Sequence, residues 1–316
     1  MATSFCGTKL GKQRVVESGV GAASSSGDTS FVIVYGFNRS QVRYWYRPDP
    51  ERSFLNAMRL IVRLLLSLQA TGSALPVHLL LSGERHAGFE AALTQQFPQL
   101  RLLNADTDGR HRIRVPRWAS AFHWGSFAKL SVLALTQFRR IVVLDTDTVV
   151  LRKIDHLVRL PAPAFVYRFK CWSYRRSGAK ANVPIWEMNS GVAVLRPDEA
   201  LHARMQSLLN GNGTTARKDS EALKAVFTPS DPGDQSVWRH FFERVHELPV
   251  SYNTFKRTHF VSVHEWQKVH VLHDPDVHRA VKIPLPSVQA HYMNLTVTAQ
   301  QRVKAIAASL GVRDRG

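Results

Sequence analysis

The 316-residue sequence contains only two cysteines, Cys6 and Cys171. They lie far apart, so the sequence has neither a disulfide framework nor a cysteine pair at zinc-ligand spacing. Long apolar runs are also missing. The start of the chain has no apolar core of signal-peptide length, and the most apolar stretch, residues 55–70, carries Arg59 and Arg63 at helical spacing. We therefore expect no membrane span, and a partly buried amphipathic helix at residues 55–70.

Acidic residues are few. Asp and Glu total 24 against 42 for Lys and Arg, which gives a formal net charge of +18. Such a charge suggests an anionic partner, for example a nucleotide, a phosphate or an acidic surface, and a generally basic surface is the plainer interpretation. The basic residues form no long run, and no helix-turn-helix or aromatic RNA-binding motif accompanies them. We therefore predict that nucleic acid is not the partner.

Three asparagine sequons, at Asn38, Asn212 and Asn294, bear on where the protein works. The lack of a signal peptide favours the cytoplasm. The sequons keep the Golgi lumen open as an alternative, if the chain is a fragment that lacks its native anchor.

Strand-like and helix-like segments alternate after a Gly/Ser-rich leader, residues 1–29, which we predict to be disordered. The order of the strands and helices is 31–37, 55–70, 75–81, 88–96, 100–104, 126–137 and the run RIVVL at 140–144. The second half adds strands at 162–169, 189–197 and 268–272 and a helix at 198–209. This alternation predicts an α/β, Rossmann-like fold, with a mostly parallel sheet and helices on both faces. We expect one domain over residues 30–296 and a helical tail over 297–316.

The stretch IVVLDTDTVVL places Asp145 and Asp147 at the carboxyl end of a buried strand. Ligands bind at this edge of parallel sheets, and residues two apart in an extended chain point to the same side. A pair of adjacent carboxylates shares a proton or binds a cation, and Mg²⁺ and Mn²⁺ prefer such oxygen ligands together with phosphate oxygens. The alternative is that one aspartate caps the next turn while the other is solvated.

Four further motifs follow in order: EMNSGVAVLRP, PGDQSVW, LPVSYN and KVHVL. Together with LDTDTVVL they resemble the glycogenin-like branch of glycosyltransferase family 8, over roughly residues 30–295. The resemblance implies a GT-A fold and a retaining, metal-dependent transfer from a UDP-sugar to a protein or glycan acceptor. The sugar would be glucose, galactose or a related hexose, and a homodimer is the assembly we consider.

The resemblance also implies site residues. Mn²⁺, or alternatively Mg²⁺, would be held by Asp145, Asp147 and His270, with His273 as a competitor for the histidine. Lys129 would contact the donor, where negative charge develops on the leaving diphosphate. Asp234 and Gln235 join Lys129 as the expected catalytic residues. The other donor-binding positions are Tyr35, Gly36, Asn38, Thr146, Asn189, Ser190, Gly191 and Asp231.

The sequence departs from the family pattern after KVHVL. A Lys-Pro-Trp motif is expected there, but the chain reads HDPDVHRAVKIPLP, in which Lys282 or Arg279 could substitute. This departure favours a rival hypothesis, a catalytically silent GT-A-fold protein with a basic anion-binding surface. Within the enzyme hypothesis, Tyr167 and Tyr174 occupy the segment where a self-glycosylated acceptor could lie.

Overall fold

The computed structural model describes residues 29–37, 50–105, 113, 125–176, 179–210, 233–255, 258, 260, 262–273 and 283–312. The strands are β1 (Thr29–Phe37), β2 (Val77–Gly83), β3 (Leu100–Asn104), β4 (Arg140–Leu144), β5 (Thr148–Val150), β6 (Ala164–Arg176), β7 (Ala179–Leu195), β8 (His246–Leu248), β9 (Thr254–Phe255) and β10 (Val271–His273). The α-helices are α1 (Pro50–Ala70), α2 (Ala87–Gln96), α3 (Glu199–Asn210), α4 (Asp234–Phe241) and α5 (Pro286–Ser309). Short 3₁₀ helices occupy Ala128–Ala134, Asp155–Arg159, Val250–Tyr252 and Val263–Lys268. The predicted leader lies outside the described residues except for Thr29.

Seven strands form the main sheet, in the order β3-β2-β1-β4-β7-β6-β8. β1 pairs in parallel with β2 and β4, and β2 pairs in parallel with β3, whereas β7 runs antiparallel to both of its neighbours. The predicted α/β fold with a mostly parallel sheet is confirmed. The carboxyl ends of β1 to β4 therefore meet at one rim, and Asp145 follows β4 there.

Both faces of the sheet are covered, which explains why its central strands are continuous apolar runs. In β1, Phe31 and Ile33 join the core that contains α1, α2 and α5. Val32 and Val34 face the other core, formed with the 3₁₀ helix Ala128–Ala134 and with α3 and α4. The 3₁₀ helix packs on β1 and α3, and its Lys129 lies beside Asp145 at the rim. The sequence predicted an ordinary helix over residues 126–137.

Helix α1 is the long apolar helix expected at residues 55–70. Its Glu51–Ala70 part is long and apolar enough to cross a membrane, but 67% of its most apolar stretch is buried inside the fold. Arg63 is completely buried and donates to the Tyr292 hydroxyl of α5 at 2.9 Å. The guanidinium also lies 5.3 Å from the centre of that ring. These contacts are those of a core helix that packs on α5.

Helix α5 runs through the predicted boundary between residues 296 and 297. Its buried residues Leu295, Ala299 and Val303 lie on both sides of that boundary and belong to the same core as α1. The division into a domain ending at 296 and a separate tail therefore cuts a continuous helix.

A second sheet has the order β5-β10-β9. β10 runs antiparallel to β5, with Val271 opposite Val150 and His273 opposite Thr148. The chain therefore runs back toward Asp147 as β10 proceeds. The predicted strand at 268–272 is displaced, because residues up to Lys268 belong to a 3₁₀ helix and the strand is Val271–His273.

Candidate functional site

Lys129 reaches across the end of β4 from its 3₁₀ helix. Its Nζ lies 2.9 Å from Asp145 Oδ1 and 3.2 Å from Asp234 Oδ2, and it donates to Ser190 Oγ at 2.8 Å. The lysine is only 7% exposed. Burial alone would lower the pKa of Lys129, but the two carboxylates outweigh burial and raise it, so the ammonium stays charged. One buried cation thus joins three chain segments at the rim.

Asp234 occupies the first turn of α4 and is also buried. Its Oδ2 accepts hydrogen bonds from Ser190 Oγ at 2.7 Å and from Trp238 Nε1 at 3.0 Å. Trp238 lies one helical turn further along α4, so the helix holds its own carboxylate in position. Sequence reasoning did not identify Trp238, although its four-residue spacing from Asp234 was visible.

Asp145, Asp147 and His273 form the group among the described residues that could hold a metal ion. Each offers one ligand atom, and these atoms lie within 4.8 Å of one another. His273 Nε2 is 3.3 Å from Asp147 Oδ1. Burial would raise the pKa of Asp147 and lower that of His273, but their mutual attraction outweighs burial, so the pKa of Asp147 falls to about 2 and that of His273 rises.

Asp145 completes the group under a different balance of charges. Burial raises the pKa of its carboxyl, Lys129 opposes this, and the repulsion from Asp147 adds to the rise. Two carboxylates and an imidazole are a donor set that suits Mn²⁺ and related divalent ions, and a cation here relieves the repulsion between the aspartates. The residues present therefore fit a divalent cation.

The histidine of this group is His273, and the prediction of His270 is wrong in position. The His270 carbonyl accepts from Leu151 N at 2.7 Å, so His270 lies opposite the far end of β5. Its ring stacks on Tyr252 with centroids 4.4 Å apart. Because β10 is antiparallel to β5, three residues further along the strand bring a side chain roughly 10 Å nearer to Asp147.

The Asn-Ser-Gly segment of β7 lies directly beside the metal group. The Gly191 carbonyl accepts from Asp145 N at 2.9 Å, and Asn189 Oδ1 accepts from Gly191 N at 2.9 Å. A Cβ at Gly191 would lie 2.6 Å from His273 Nδ1, so only glycine leaves room for the histidine. Asn253 bridges Asn189 and His273. It belongs to the LPVSYN motif, but sequence reasoning gave it no role.

Of the remaining predicted donor-binding residues, the structure describes Tyr35, Gly36 and Thr146. Gly36 packs closely, since a Cβ there would lie 3.4 Å from Ala128 Cβ, and Thr146 lies half-buried in the turn between β4 and β5. Tyr35 belongs to the core on the α1 side and lines a small pocket with Phe54 and Leu81. Asn38, Asp231, Arg279 and Lys282 lie outside the described residues, as does the side chain of Tyr174.

Gln235 follows Asp234 in α4. Its Oε1 is buried and has no hydrogen-bond partner within the described part of the chain. A buried acceptor without a partner costs stability, so such an atom is a common mark of a ligand site. The expected catalytic and donor-binding role of Gln235 stays a prediction.

No protein-family model matches the sequence. Similarity is found instead to individual protein sequences and to solved structures. Glycogenin-1 from Caenorhabditis elegans is 26% identical over 193 residues, covering 59% of this chain and 38% of that protein. Inositol phosphorylceramide glucuronosyltransferase 1 from Arabidopsis thaliana is 35% identical over 79 residues, covering 25% of this chain and 12% of that protein. The chain thus spans well under half the length of these curated relatives.

Among solved structures, the bifunctional glycosyltransferase WbbM is similar with a TM-score of 0.53 and 13% identity. The similarity covers 90% of this chain and 53% of that chain. The fold is therefore the GT-A fold of glycosyltransferases. Within that class, the chain is a distant homologue of glycosyltransferase family 8, to which glycogenin belongs, and the resemblance predicted from the motifs is confirmed.

Proposed function

We propose that the protein is a retaining, metal-dependent glycosyltransferase that transfers a hexose from a UDP-sugar to a protein or glycan acceptor. The observation that carries this proposal is the convergence of Lys129, Asp145, Asp147, Asp234 and His273 at the carboxyl rim of a GT-A sheet. The sequence relationship to glycogenin-1 supports the same activity.

Asp145, Asp147 and His273 would hold Mn²⁺ or Mg²⁺. When bound, the ion would supply positive charge that stabilises the donor diphosphate as a leaving group. The protein's part is to keep two half-buried carboxylates side by side. Lys129 contributes to this, because its ammonium lies against Asp145 and offsets part of the negative charge.

Lys129 also acts on the donor. Its ammonium is buried, charged and fixed between Asp145 and Asp234, so it would lie near a diphosphate held by a cation at Asp145. A fixed charge in a buried site stabilises developing negative charge more strongly than a solvated one. Lys129 would therefore bind the diphosphate and favour its departure.

Asp234 and Gln235 would orient the sugar. The Asp234 carboxylate is held by Ser190 and Trp238, and the adjacent Gln235 Oε1 is a buried acceptor without a partner in the described structure. A sugar hydroxyl would satisfy that oxygen. The two side chains are therefore suited to bind the transferred hexose and to stabilise positive charge at its anomeric carbon.

The test is UDP release from UDP-glucose and UDP-galactose, measured with Mn²⁺ and again after chelation. We expect release with Mn²⁺, and loss of it in excess EDTA and in the Asp145→Asn and Asp147→Asn variants. The partly exposed Glu265, which pairs with Lys268 at 2.9 Å, provides a matched control, since Glu265→Gln removes a carboxylate that is not part of the metal group. Full activity in EDTA contradicts the metal site. Binding of Mn²⁺ and UDP-sugar without any UDP release favours the silent binding protein.

A further inference from the structure

The Asn189 side chain, which the family resemblance assigns to the donor sugar, is used inside the protein. Asn189 is 3% exposed, and its Oδ1 accepts from Gly191 N at 2.9 Å and also from Asn253 Nδ2. Asn253 is fully buried, and its Oδ1 lies 2.9 Å from His273 Nδ1. A relay of three hydrogen bonds, Gly191 to Asn189 to Asn253 to His273, therefore connects β7 with the metal group.

The backbone N–H of Gly191, the first member of this relay, fixes the direction of the hydrogen bonds. A backbone N–H can only donate, so the Asn189 atom that meets Gly191 N is the amide oxygen. The Asn253 atom that meets the same oxygen is therefore its NH₂ group. This turns the Asn253 oxygen toward His273. Because that oxygen can only accept, His273 Nδ1 carries a proton.

The proton on Nδ1 decides which nitrogen can bind a metal. In the neutral ring the lone pair is then on Nε2, the atom that lies 3.3 Å from Asp147 Oδ1. Histidines that bind metals usually donate their other N–H to an oxygen, which fixes both the tautomer and the orientation of the ring. Asn253 stands in this position toward His273.

We propose that Asn253, held in place by Asn189, is a positioning residue that sets the tautomer and ring orientation of His273 for metal binding. The inference rests on the proposed function in one respect, that His273 ligates the cation. Asn253 itself does not ligate. Asn189 accordingly supports the metal site through the relay.

Backbone contacts hold both Asn253 and the His273 ring in place. Asn253 N donates to the Val250 carbonyl at 3.0 Å, and the strand that begins at Thr254 pairs with β10. On the opposite side, the missing side chain of Gly191 lets the β7 backbone lie against the imidazole. The ring therefore has little freedom to rotate, and a change at Asn253 acts on His273 directly.

The first test measures the affinity for Mn²⁺ alone by electron paramagnetic resonance. Asn253→Leu removes the relay at similar volume, and we expect the Kd for Mn²⁺ to rise about 10–100-fold. Asn189→Asp keeps an acceptor oxygen toward both Gly191 and Asn253, and we expect it to weaken binding by no more than about threefold. Equal loss in both variants contradicts a directional relay, as does an unchanged Kd in Asn253→Leu.

Thr254→Val is the matched control for loosened packing. Thr254 is buried next to Asn253, but its hydroxyl donates to the Val250 carbonyl at 2.9 Å, outside the relay. We expect this variant to lower the melting temperature and to leave the Kd for Mn²⁺ unchanged. If it weakens Mn²⁺ binding as much as Asn253→Leu does, loosening of β9 explains both results and the positioning role is wrong.

A second measurement reads the tautomer in the wild-type protein and needs no destabilising variant. With ¹⁵N-labelled histidine and His273→Gln for assignment, NMR identifies which nitrogen of His273 carries the proton in the neutral ring. We expect Nδ1, and a proton on Nε2 overturns the proposal. Failure of the proposed function is distinct from this, because it consists of Mn²⁺ binding with no UDP release from the wild type. A wild type that binds no Mn²⁺ overturns both.

Discussion

Two histidines mark the two ends of β10, His270 just before its first residue and His273 at its last, and their surroundings are opposite. His273 is buried beside Asp147, and the attraction of the carboxylate outweighs burial and raises the pKa of its imidazole. His270 lies half-buried at the other end, stacked on Tyr252 and near His156. There, burial lowers the pKa of the imidazole, and His156 adds to that effect. The surroundings of His273 therefore favour the charged imidazolium, whereas those of His270 favour the neutral ring.

The difference shows that strand pairing, rather than residue type, decides which histidine lies beside the aspartates. Both histidines belong to the same short segment, and either would look suitable in isolation. Only His273 is carried by the antiparallel pairing to a position opposite Thr148, beside the aspartates. His270 O instead accepts from Leu151 N, at the far end of β5.

The largest expected effect comes from removing each histidine in turn. We expect His273→Ala to raise the Kd for Mn²⁺ by at least about tenfold, because a lost ligand contact costs about 1.4 kcal/mol or more. His270→Ala should leave the Kd within about twofold, since its ring contacts Tyr252 rather than the carboxylates. Calorimetric titration of the two purified variants with Mn²⁺ measures the difference. Equal loss in both would remove the contrast between the two ends of β10.

A smaller effect is expected from the glycine that makes room for His273. A Cβ at Gly191 would lie 2.6 Å from the imidazole, so Gly191→Ala must displace the ring or the strand. Overpacking of this kind costs about 1–3 kcal/mol of folding free energy, and Mn²⁺ binding should weaken as well. The free energy of unfolding in urea measures the first effect.

Gly125→Ala is the matched control for that change. Among the described residues, a Cβ at Gly125 would meet only the Gly36 carbonyl oxygen, at an ordinary distance of 3.7 Å. We expect Gly125→Ala to leave Mn²⁺ binding close to that of the wild type. A Gly191→Ala variant that binds Mn²⁺ as the wild type does would mean that the ring is not confined from the β7 side.

Much of this arrangement could be predicted from the sequence, for physical reasons. Asp145 and Asp147 follow a run of buried β-branched and apolar residues, so local patterning alone places them at the carboxyl end of β4. Lys129 and Asp234 were identified by the order of motifs, and the structure brings both to Asp145 or its neighbours.

The errors occurred where position depends on long-range pairing. The strand β10 has only three residues, too few for an alternating pattern to define its ends, and its register is set by β5 far away in the chain. Because the predicted strand began three residues too early, His270 was predicted as the metal ligand instead of His273. Asn253 was missed for a related reason, because its role exists only when β7, β9 and β10 have come together.

The smallest expected effect is on the pH dependence of stability in the metal-free protein, where the two ends of β10 should have opposite signs. The pKa of His273 is raised above its ordinary 6.5, so the stability it contributes is fully present below pH 6.5 and is lost as the pH rises through the folded-state pKa. The pKa of His270 is lowered below 6.5, so its neutral ring carries no penalty above pH 6.5 and the folded state loses stability as the pH falls. We therefore compare the wild type with His273→Gln and with His270→Gln by urea unfolding in EDTA across this range. The unfolding free energy of the wild type, measured relative to that of His273→Gln, should fall as the pH rises. Measured relative to that of His270→Gln, it should fall as the pH drops. Shifts of the same sign in both comparisons would show that the carboxylates do not control His273.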